Sequence, residues 1–246
     1  MEDKKLCIFI SHFGTDHSYL KRLLEEFETY NAKEILVNIY CTDKEISNIH
    51  KPSKIGIKYK YFNESIGHDL VNQYKNDLVK FVDNFDLFMY SEDDILITEE
   101  NIKCFLEWKD ILFSNEICGF LRYEEKNGEK YFIDMHHSFP SLKHKTSNLF
   151  SIHNLHQGCW ILTKKQLIKL LDYIPDYIEN HPKYGKLEQG ATWPFIIGKF
   201  TKLYPMDFSK LMIHHLPNKY VNKGEIWDDP GAWSETELKK ELIKNY

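Results

Sequence analysis

Residues 86–94 read DLFMYSEDD, an apolar run that ends abruptly in Glu92, Asp93 and Asp94. Such a run is typical of a strand that is buried on both faces in a parallel sheet. Ligands of open α/β sheets bind at the carboxyl ends of the strands, so these acidic side chains lie where a substrate would bind. Adjacent carboxylates repel one another, and Mg²⁺ or Mn²⁺ would relieve that repulsion while keeping coordination positions for phosphate oxygens. The alternative is a solvated acidic turn that caps the next helix.

The chain before this run has the repeating pattern of a parallel α/β fold. Residues 6–13 are almost unbroken in apolar character, apolar residues at helical spacing follow Asp16, and a second apolar run covers residues 35–40. This order indicates a βαβ unit. An alternating strand at 57–62 and a helix at 68–84 then lead into the acidic run. We therefore expect an α/β fold with a mostly parallel central sheet.

The second half of the chain has a less regular pattern. Residues 119–125 are typical of a strand, and Gly128 marks the turn of a hairpin. Neither a linker nor an internal repeat separates the two halves, so we expect a single domain over residues 1–246. Two helix starts are indicated by the spacing of capping boxes, which pair Thr163 with Gln166 and Ser234 with Glu237.

The composition limits the class of partner and the compartment. The 246 residues have a net charge of −5 and no long basic run, which argues against nucleic acid as the main partner. The five cysteines are scattered without a CxxC pair, which fits a reducing compartment better than a disulfide framework or a zinc ribbon. The amino-terminal apolar stretch is far shorter than the ~20 residues of a membrane span. We expect a cytoplasmic protein without a transmembrane segment.

The order of these motifs resembles that of a known enzyme family. A first strand ending in SHFG (residues 11–14), a second ending in CTD (residues 41–43), and a helix and a third strand before residues 92–94 are similar to the nucleotide-sugar-dependent glycosyltransferases of the GT-A fold. The resemblance implies a three-layer α/β/α sandwich that binds a UDP- or GDP-sugar.

The acidic motif of this family is usually Asp-x-Asp, and it binds a divalent cation together with the ribose and diphosphate of the donor. Glu92 replaces the first Asp in this chain. The resemblance therefore implies Asp94 as the metal ligand, Glu92 or Asp93 as the ribose contact, and Mn²⁺ or Mg²⁺ as the cofactor. It also implies a nucleotide-binding half over about residues 1–95 and an acceptor-binding half over about residues 96–246.

The resemblance assigns further residues to the nucleotide. Ser11, His12 and Phe13 would line its pocket, Asp43 would lie against the base, and His68 would contact the donor. The alternatives are ordinary loop polarity for Ser11 and Asp43, and a surface histidine for His68.

On the acceptor side, the resemblance makes Gly158 a point of close backbone approach and Trp160 a stacking surface for a sugar. Glu188, at the start of a helix, would be the base that deprotonates the acceptor hydroxyl, which implies inversion at the anomeric carbon. If Glu188 faces elsewhere, the alternative is a retaining mechanism. Trp160 could instead belong to the core, and Glu188 could serve only the helix dipole.

The paired histidines His214 and His215 would supply a further metal ligand, and Lys219 would steady the leaving diphosphate. Imidazole is a chemically sensible partner for the acidic motif around Mn²⁺. The alternative is two interfacial histidines without a ligand.

The resulting hypothesis is a metal-dependent, inverting glycosyltransferase that acts on a glycan or another hydroxyl acceptor. Two alternatives come from other classes. One is a metal-dependent nucleotidyltransferase or phosphoesterase. The other is a non-catalytic carbohydrate-binding protein of the same fold that uses Trp160, Trp193, Trp227 and Trp233 for stacking.

Overall fold

The computed structural model describes residues 1–50, 52–135, 140–142, 148–171, 185–197, 200–222 and 232–244. The α-helices are α1 (Ser18–Phe27), α2 (Leu78–Phe81), α3 (Glu99–Lys109), α4 (Lys164–Leu171), α5 (Lys186–Ile196), α6 (Lys219–Asn222) and α7 (Glu235–Lys244). Segments of 3₁₀ helix cover Glu45–Asn48, Glu64–Asp77, Ile133–Met135 and Ser209–Leu211. The strands are β1 (Lys5–His12), β2 (Glu34–Cys41), β3 (Gly56–Tyr61), β4 (Leu87–Glu92), β5 (Ile95–Leu96), β6 (Glu116–Cys118), β7 (Leu121–Lys126), β8 (Glu129–Phe132), β9 (Ser141–Leu142), β10 (Leu149–Ser151), β11 (Cys159–Thr163), β12 (Thr201–Pro205), β13 (Met212–His215) and β14 (Trp233–Ser234).

The chain divides into two compact units. Unit 1 comprises Met1–Asp94 and Gly158–Lys199, and unit 2 comprises Ile95–Gln157 and Phe200–Tyr246. The segment with Gly158, Trp160 and Glu188 therefore belongs to the same unit as the first βαβ repeat.

Unit 1 is built around a five-stranded sheet with the strand order β11-β4-β1-β2-β3. β1 pairs in parallel with β2 and β4, β2 pairs in parallel with β3, and β11 pairs antiparallel with β4. Successive β1 side chains from Leu6 to Ile10 are all 0% exposed, so both faces of this strand are covered. The apolar face of α1 is buried as well, through Leu20, Leu23, Leu24 and Phe27.

The segment before β4 differs from the single α-helix that the apolar spacing at 68–84 predicts. It is the 3₁₀ segment Glu64–Asp77 followed by the short α2. The amide of Asn72 and the hydroxyl of Tyr74 donate to backbone carbonyls of α5, at Lys186 (3.5 Å) and Gly190 (2.6 Å). Periodicity identified the buried face of the segment, but these tertiary bonds, which spacing does not reveal, hold its backbone.

Tyr74 is the centre of a buried aromatic cluster in unit 1. Its hydroxyl accepts the indole N–H of Trp160 at 3.1 Å and that of Trp193 at 2.5 Å while it donates to the Gly190 carbonyl. The Tyr74 ring also stacks on Tyr90 with the centroids 4.5 Å apart. One hydroxyl thus satisfies three buried polar groups that belong to β11 and α5.

Unit 2 contains two smaller sheets, with the orders β6-β12-β10-β9 and β14-β8-β7-β13-β5. The hairpin predicted at Gly128 is confirmed, because β7 and β8 pair antiparallel across Asn127 and Gly128, whose φ angles are +54° and +79°. Positive φ at both positions defines a type I′ turn, for which Asn-Gly is strongly preferred. The core of this unit is formed by Leu121, Phe132, Met135, Phe150, Ile152, Tyr204, Phe208, Leu238 and Leu242.

The protein is therefore a mixed α/β protein with a mostly parallel sheet in unit 1 and mixed sheets in unit 2. Within the described ranges, the helices are all too short or too polar to cross a lipid bilayer.

Candidate functional site

Parallel register brings the carboxyl ends of three strands to one edge of the unit 1 sheet. His12 at the end of β1 lies opposite Cys41 at the end of β2, and Ser11 lies opposite Glu92 at the end of β4. The residues that directly follow β1, β2 and β4 therefore share this edge, which is where ligands of open α/β sheets bind.

Four side chains form a continuous row at this edge, which we call the imidazole row: Asp93, His12, His17 and Asp43. Nδ1 of His12 lies 2.5 Å from Oδ2 of Asp93, and Nε2 of His12 lies 2.8 Å from Nδ1 of His17. Nε2 of His17 lies 2.9 Å from Oδ2 of Asp43. Two carboxylates that follow β4 and β2 are thus joined through two imidazoles.

The imidazole row requires a proton beyond those of two neutral histidines. Each of its three contacts joins two atoms that need one proton between them. Two neutral imidazoles supply only two N–H groups, so the third proton makes one imidazole cationic or one carboxyl neutral.

The two carboxyl groups of the row have opposite pKa shifts. The backbone N–H of Glu45 donates to Asp43 at 3.0 Å and, with the His17 contact, holds the pKa of Asp43 below its usual value. Burial raises the pKa of Asp93, and the contact with His12 opposes this increase only in part. Asp93 therefore binds a proton more readily than Asp43 does.

The two carboxylate side chains of the imidazole row are partly exposed to solvent, and an exposed aromatic residue follows His12 in the chain. The His12 side chain is only 1% exposed, whereas those of Asp93 and Asp43 are 29% and 19% exposed. Phe13, the next residue after His12, is 55% exposed. An apolar ring held in solvent at the ligand-binding edge is suited to stack on a planar ligand.

The loop after β1 is tied to the loop after β2. Gly14 has φ +92°, in the region that favours glycine, and its N–H donates to Oγ1 of Thr42 at 3.2 Å. Ser11, by contrast, is buried, with only 7% of the residue exposed. Ser11 therefore lies beneath the edge.

The three side chains of the acidic motif, Glu92, Asp93 and Asp94, do not form one group. Asp93 belongs to the imidazole row, while Glu92 and Asp94 are half-buried. Among the residues that the structure describes, no three His, Cys, Asp or Glu side chains are grouped so that they could hold a metal ion. Mg²⁺, however, is usually bound through only one or two carboxylates together with substrate phosphates. Glu92 and Asp94 fit that requirement, although they do not form a complete metal site.

The predicted metal ligands His214 and His215 end β13, and the predicted diphosphate residue Lys219 begins α6. His215 is buried, and its Nδ1 lies 2.5 Å from Oε1 of Glu124. The His214 ring stacks on Tyr123, and Nζ of Lys219 lies 5.2 Å from the ring centroid of Tyr220. A carboxylate on the second nitrogen is the usual partner of a metal-bound histidine. The metal and diphosphate roles of these residues stay predictions.

The structure places Gly158 and Trp160 at the start of β11. Gly158 has φ +67°, and its carbonyl accepts the N–H of Glu92 at 2.8 Å. Trp160 is 0% exposed and packs in the Tyr74 cluster, which fits the core interpretation rather than a stacking surface for sugars.

Glu188 and His68 lie on the helical segments of unit 1. Oε2 of Glu188 accepts the N–H of Gly185 at 2.9 Å, as the side chain of a capping box does, and this carboxylate is half-buried. The base role that we predict for Glu188 is compatible with this bond, because a carboxylate has two oxygens that each accept more than one hydrogen bond. His68 is exposed on the 3₁₀ segment.

Sequence reasoning missed His17. It lies at the N-cap position of α1, where histidine has no capping bond from its side chain. The signal was present in SHFGTDH (residues 11–17), which has a second imidazole shortly after the strand that ends in His12. The contacts of its two ring nitrogens, with His12 and with Asp43, are visible only in the folded structure.

No protein-family model matches the chain, and no curated protein matches its sequence.

Proposed function

We propose that the protein is a nucleotide-sugar-dependent glycosyltransferase with the GT-A fold and that its donor binds at the carboxyl edge of the unit 1 sheet. The imidazole row carries this proposal, because it fixes two partly exposed carboxylates at the sheet edge, and the exposed Phe13 directly follows His12 in the chain. A stacking ring with nearby acceptors for N–H and O–H groups suits a nucleoside, which has a planar base and ribose hydroxyls.

Each residue then has a defined contact with the donor. Phe13 stacks on the base, Asp43 accepts a hydrogen bond from the base, and Asp93 accepts one from a ribose hydroxyl. Asp94, with Glu92, holds Mn²⁺ or Mg²⁺. When bound, the cation offsets negative charge on the diphosphate.

The acceptor hydroxyl must lose a proton as the new glycosidic bond forms. Glu188 is our candidate for this base, and a single displacement with Glu188 as the base inverts the anomeric carbon.

Product analysis separates the proposal from its alternatives. The protein is incubated with UDP- and GDP-sugars in the presence and absence of Mn²⁺. A glycosyltransferase releases a nucleoside diphosphate, even by slow hydrolysis of the donor. A phosphoesterase cleaves the same donor into a nucleoside monophosphate and a sugar phosphate. A nucleotidyltransferase releases pyrophosphate when a nucleoside triphosphate and a sugar phosphate are supplied instead, and a carbohydrate-binding protein releases no product. Any of these three results without release of a nucleoside diphosphate would contradict the proposal.

The metal assignment is tested by Asp94→Asn. The substitution removes the negative charge of a half-buried side chain. Because a protein usually holds a phosphate-bound Mg²⁺ through only one or two carboxylates, loss of this one should abolish Mn²⁺-dependent binding of UDP or GDP. Calorimetry with and without EDTA measures the effect. Asp83→Asn is the control, since the Asp83 side chain is 89% exposed and pairs with Lys164. Equal metal-dependent affinity in both variants would exclude Asp94 as a ligand.

A further inference from the structure

His17 determines the direction of the Asp43 carboxylate. Its Nε2 contacts Oδ2 of Asp43 at 2.9 Å, and the N–H of Glu45 donates to Oδ1 at 3.0 Å. Both oxygens are thereby oriented, while 19% of the Asp43 side chain is exposed. A carboxylate oxygen accepts more than one hydrogen bond, so Asp43 keeps acceptor capacity on its exposed side.

An ionised carboxylate that is fixed in this way distinguishes nucleobases. It only accepts hydrogen bonds, and the lowered pKa of Asp43 keeps it ionised. Uracil and guanine carry a ring N–H that donates to such a group. The corresponding ring nitrogen of cytosine and adenine is an acceptor, and these bases donate only through the neighbouring exocyclic amino group. A carboxylate that is fixed against the ring-nitrogen position would therefore face another acceptor.

Discrimination between nucleobases by Asp43 depends on His17, because His17 links the Asp43 carboxylate to His12. His12 is buried and is held in turn by Asp93. Asp43 is therefore anchored, through two imidazoles, to the end of another strand rather than to its own loop alone. Contacts of this kind keep a binding side chain close to the one position and orientation in which it can select its ligand.

We propose that His17 is a specificity-determining positioning residue, which holds Asp43 so that the site prefers nucleoside diphosphates whose base carries a ring N–H donor. Uridine and guanosine belong to this class, and cytidine and adenosine do not. The inference rests on the proposed function, because it concerns the base of the donor. His17 acts through Asp43 and does not itself contact the base.

Two substitutions separate the two contacts of His17. In His17→Gln, the amide can replace Nε2 and keep the bond to Asp43, whereas in His17→Asn the shorter amide can replace Nδ1 and keep the bond to His12. Affinities for UDP, GDP, CDP and ADP are measured by calorimetry with Mg²⁺, and thermal melting checks that each variant is folded. His50→Gln is the control, since His50 pairs with Glu28 instead.

The wild-type protein and His17→Gln should bind UDP or GDP at least about tenfold more tightly than CDP and ADP. His17→Asn should reduce this ratio to below about threefold by weakening UDP or GDP binding. Equal ratios in the Gln and Asn variants would overturn the inference, as would binding of all four diphosphates without preference. If His17→Asn does not fold, Asp43→Asn should lower the ratio in the same way, and an unchanged ratio there is the overturning result. A wild-type protein that binds none of the four contradicts the proposed function itself.

Discussion

At the scale of single residues, the Glu188 carboxylate has a structural role in capping α5 and a proposed chemical role as a base. A substitution that keeps the capping bond and removes the base distinguishes the two roles. Glu188 accepts the N–H of Gly185 as the side chain of a capping box. Glutamine is as suitable as glutamate at this position of the motif, but it does not take up a proton from a hydroxyl.

Glu188→Gln should therefore leave the unfolding temperature unchanged and lower sugar transfer by about 10²–10⁴-fold, with donor affinity unaffected. Initial rates with a nucleotide sugar and calorimetric donor binding measure the two effects. Glu188→Ala is the companion variant, because it removes the capping bond and should also destabilise the protein by about 1 kcal/mol. Full transfer activity in Glu188→Gln would eliminate the base role and leave only the capping role.

At the scale of elements, the Tyr74 hydroxyl joins a 3₁₀ segment to β11 and α5. It makes three hydrogen bonds of 2.5 to 3.1 Å, with Trp160, Trp193 and Gly190. Removing the oxygen would leave two indole N–H groups and one carbonyl without this partner in a dry environment. An unsatisfied buried polar group costs about 1–3 kcal/mol, so the loss is larger than that of one ordinary hydrogen bond.

Tyr74→Phe should lower the free energy of unfolding by about 3 kcal/mol or more. Urea unfolding followed by tryptophan fluorescence measures the change. Tyr19→Phe provides the comparison, since the Tyr19 side chain lies on α1 at 36% exposure and should change stability by less than about 0.5 kcal/mol. A Tyr74→Phe variant as stable as Tyr19→Phe would show that the hydroxyl does not support these elements.

Local chemistry explains which elements could be predicted from the sequence. The strands 6–13, 35–40 and 86–91 were found because unbroken apolar runs require burial on both faces, and the helix starts at Thr163 and Ser234 because capping boxes satisfy their own backbone. The 3₁₀ segment was not predicted, since bonds from distant residues hold it. The same limit applies to the site. The family resemblance named His12, Asp43 and Asp93 as candidates, but the contacts that join them through His17 depend on how the strands and α1 pack.

At the scale of the whole molecule, burial of charge determines how stability changes with pH. Nζ of Lys75 donates to Asn72 at 2.7 Å and lies 5.1 Å from the ring centroid of Trp193. Burial lowers the pKa of Lys75 to about 7. Between about pH 7 and pH 10 the unfolded chain therefore binds more protons at this residue than the folded chain, and stability rises with pH across that window.

Lys75→Met should flatten this rise relative to the wild-type protein, by at most about 1.4 kcal/mol per pH unit. The free energy of unfolding is measured by urea titration at several pH values from 7 to 10. Lys21→Met is the matched variant, because Lys21 is exposed on α1 and should keep the wild-type slope. Parallel slopes for Lys75→Met and the wild-type protein would contradict the assignment.

The antiparallel pairing of β11 with β4 also has a consequence for how the protein is made. β4 is complete long before the ribosome has synthesised β11, and the whole stretch 95–157 is translated between them. Throughout that interval the nascent sheet has β4 as an open border, with its backbone N–H and C=O groups ready to pair with any other extended chain. This border of the sheet is therefore covered only after β11 leaves the ribosomal tunnel, and a translational pause within 95–157 prolongs the period in which misassembly competes with folding.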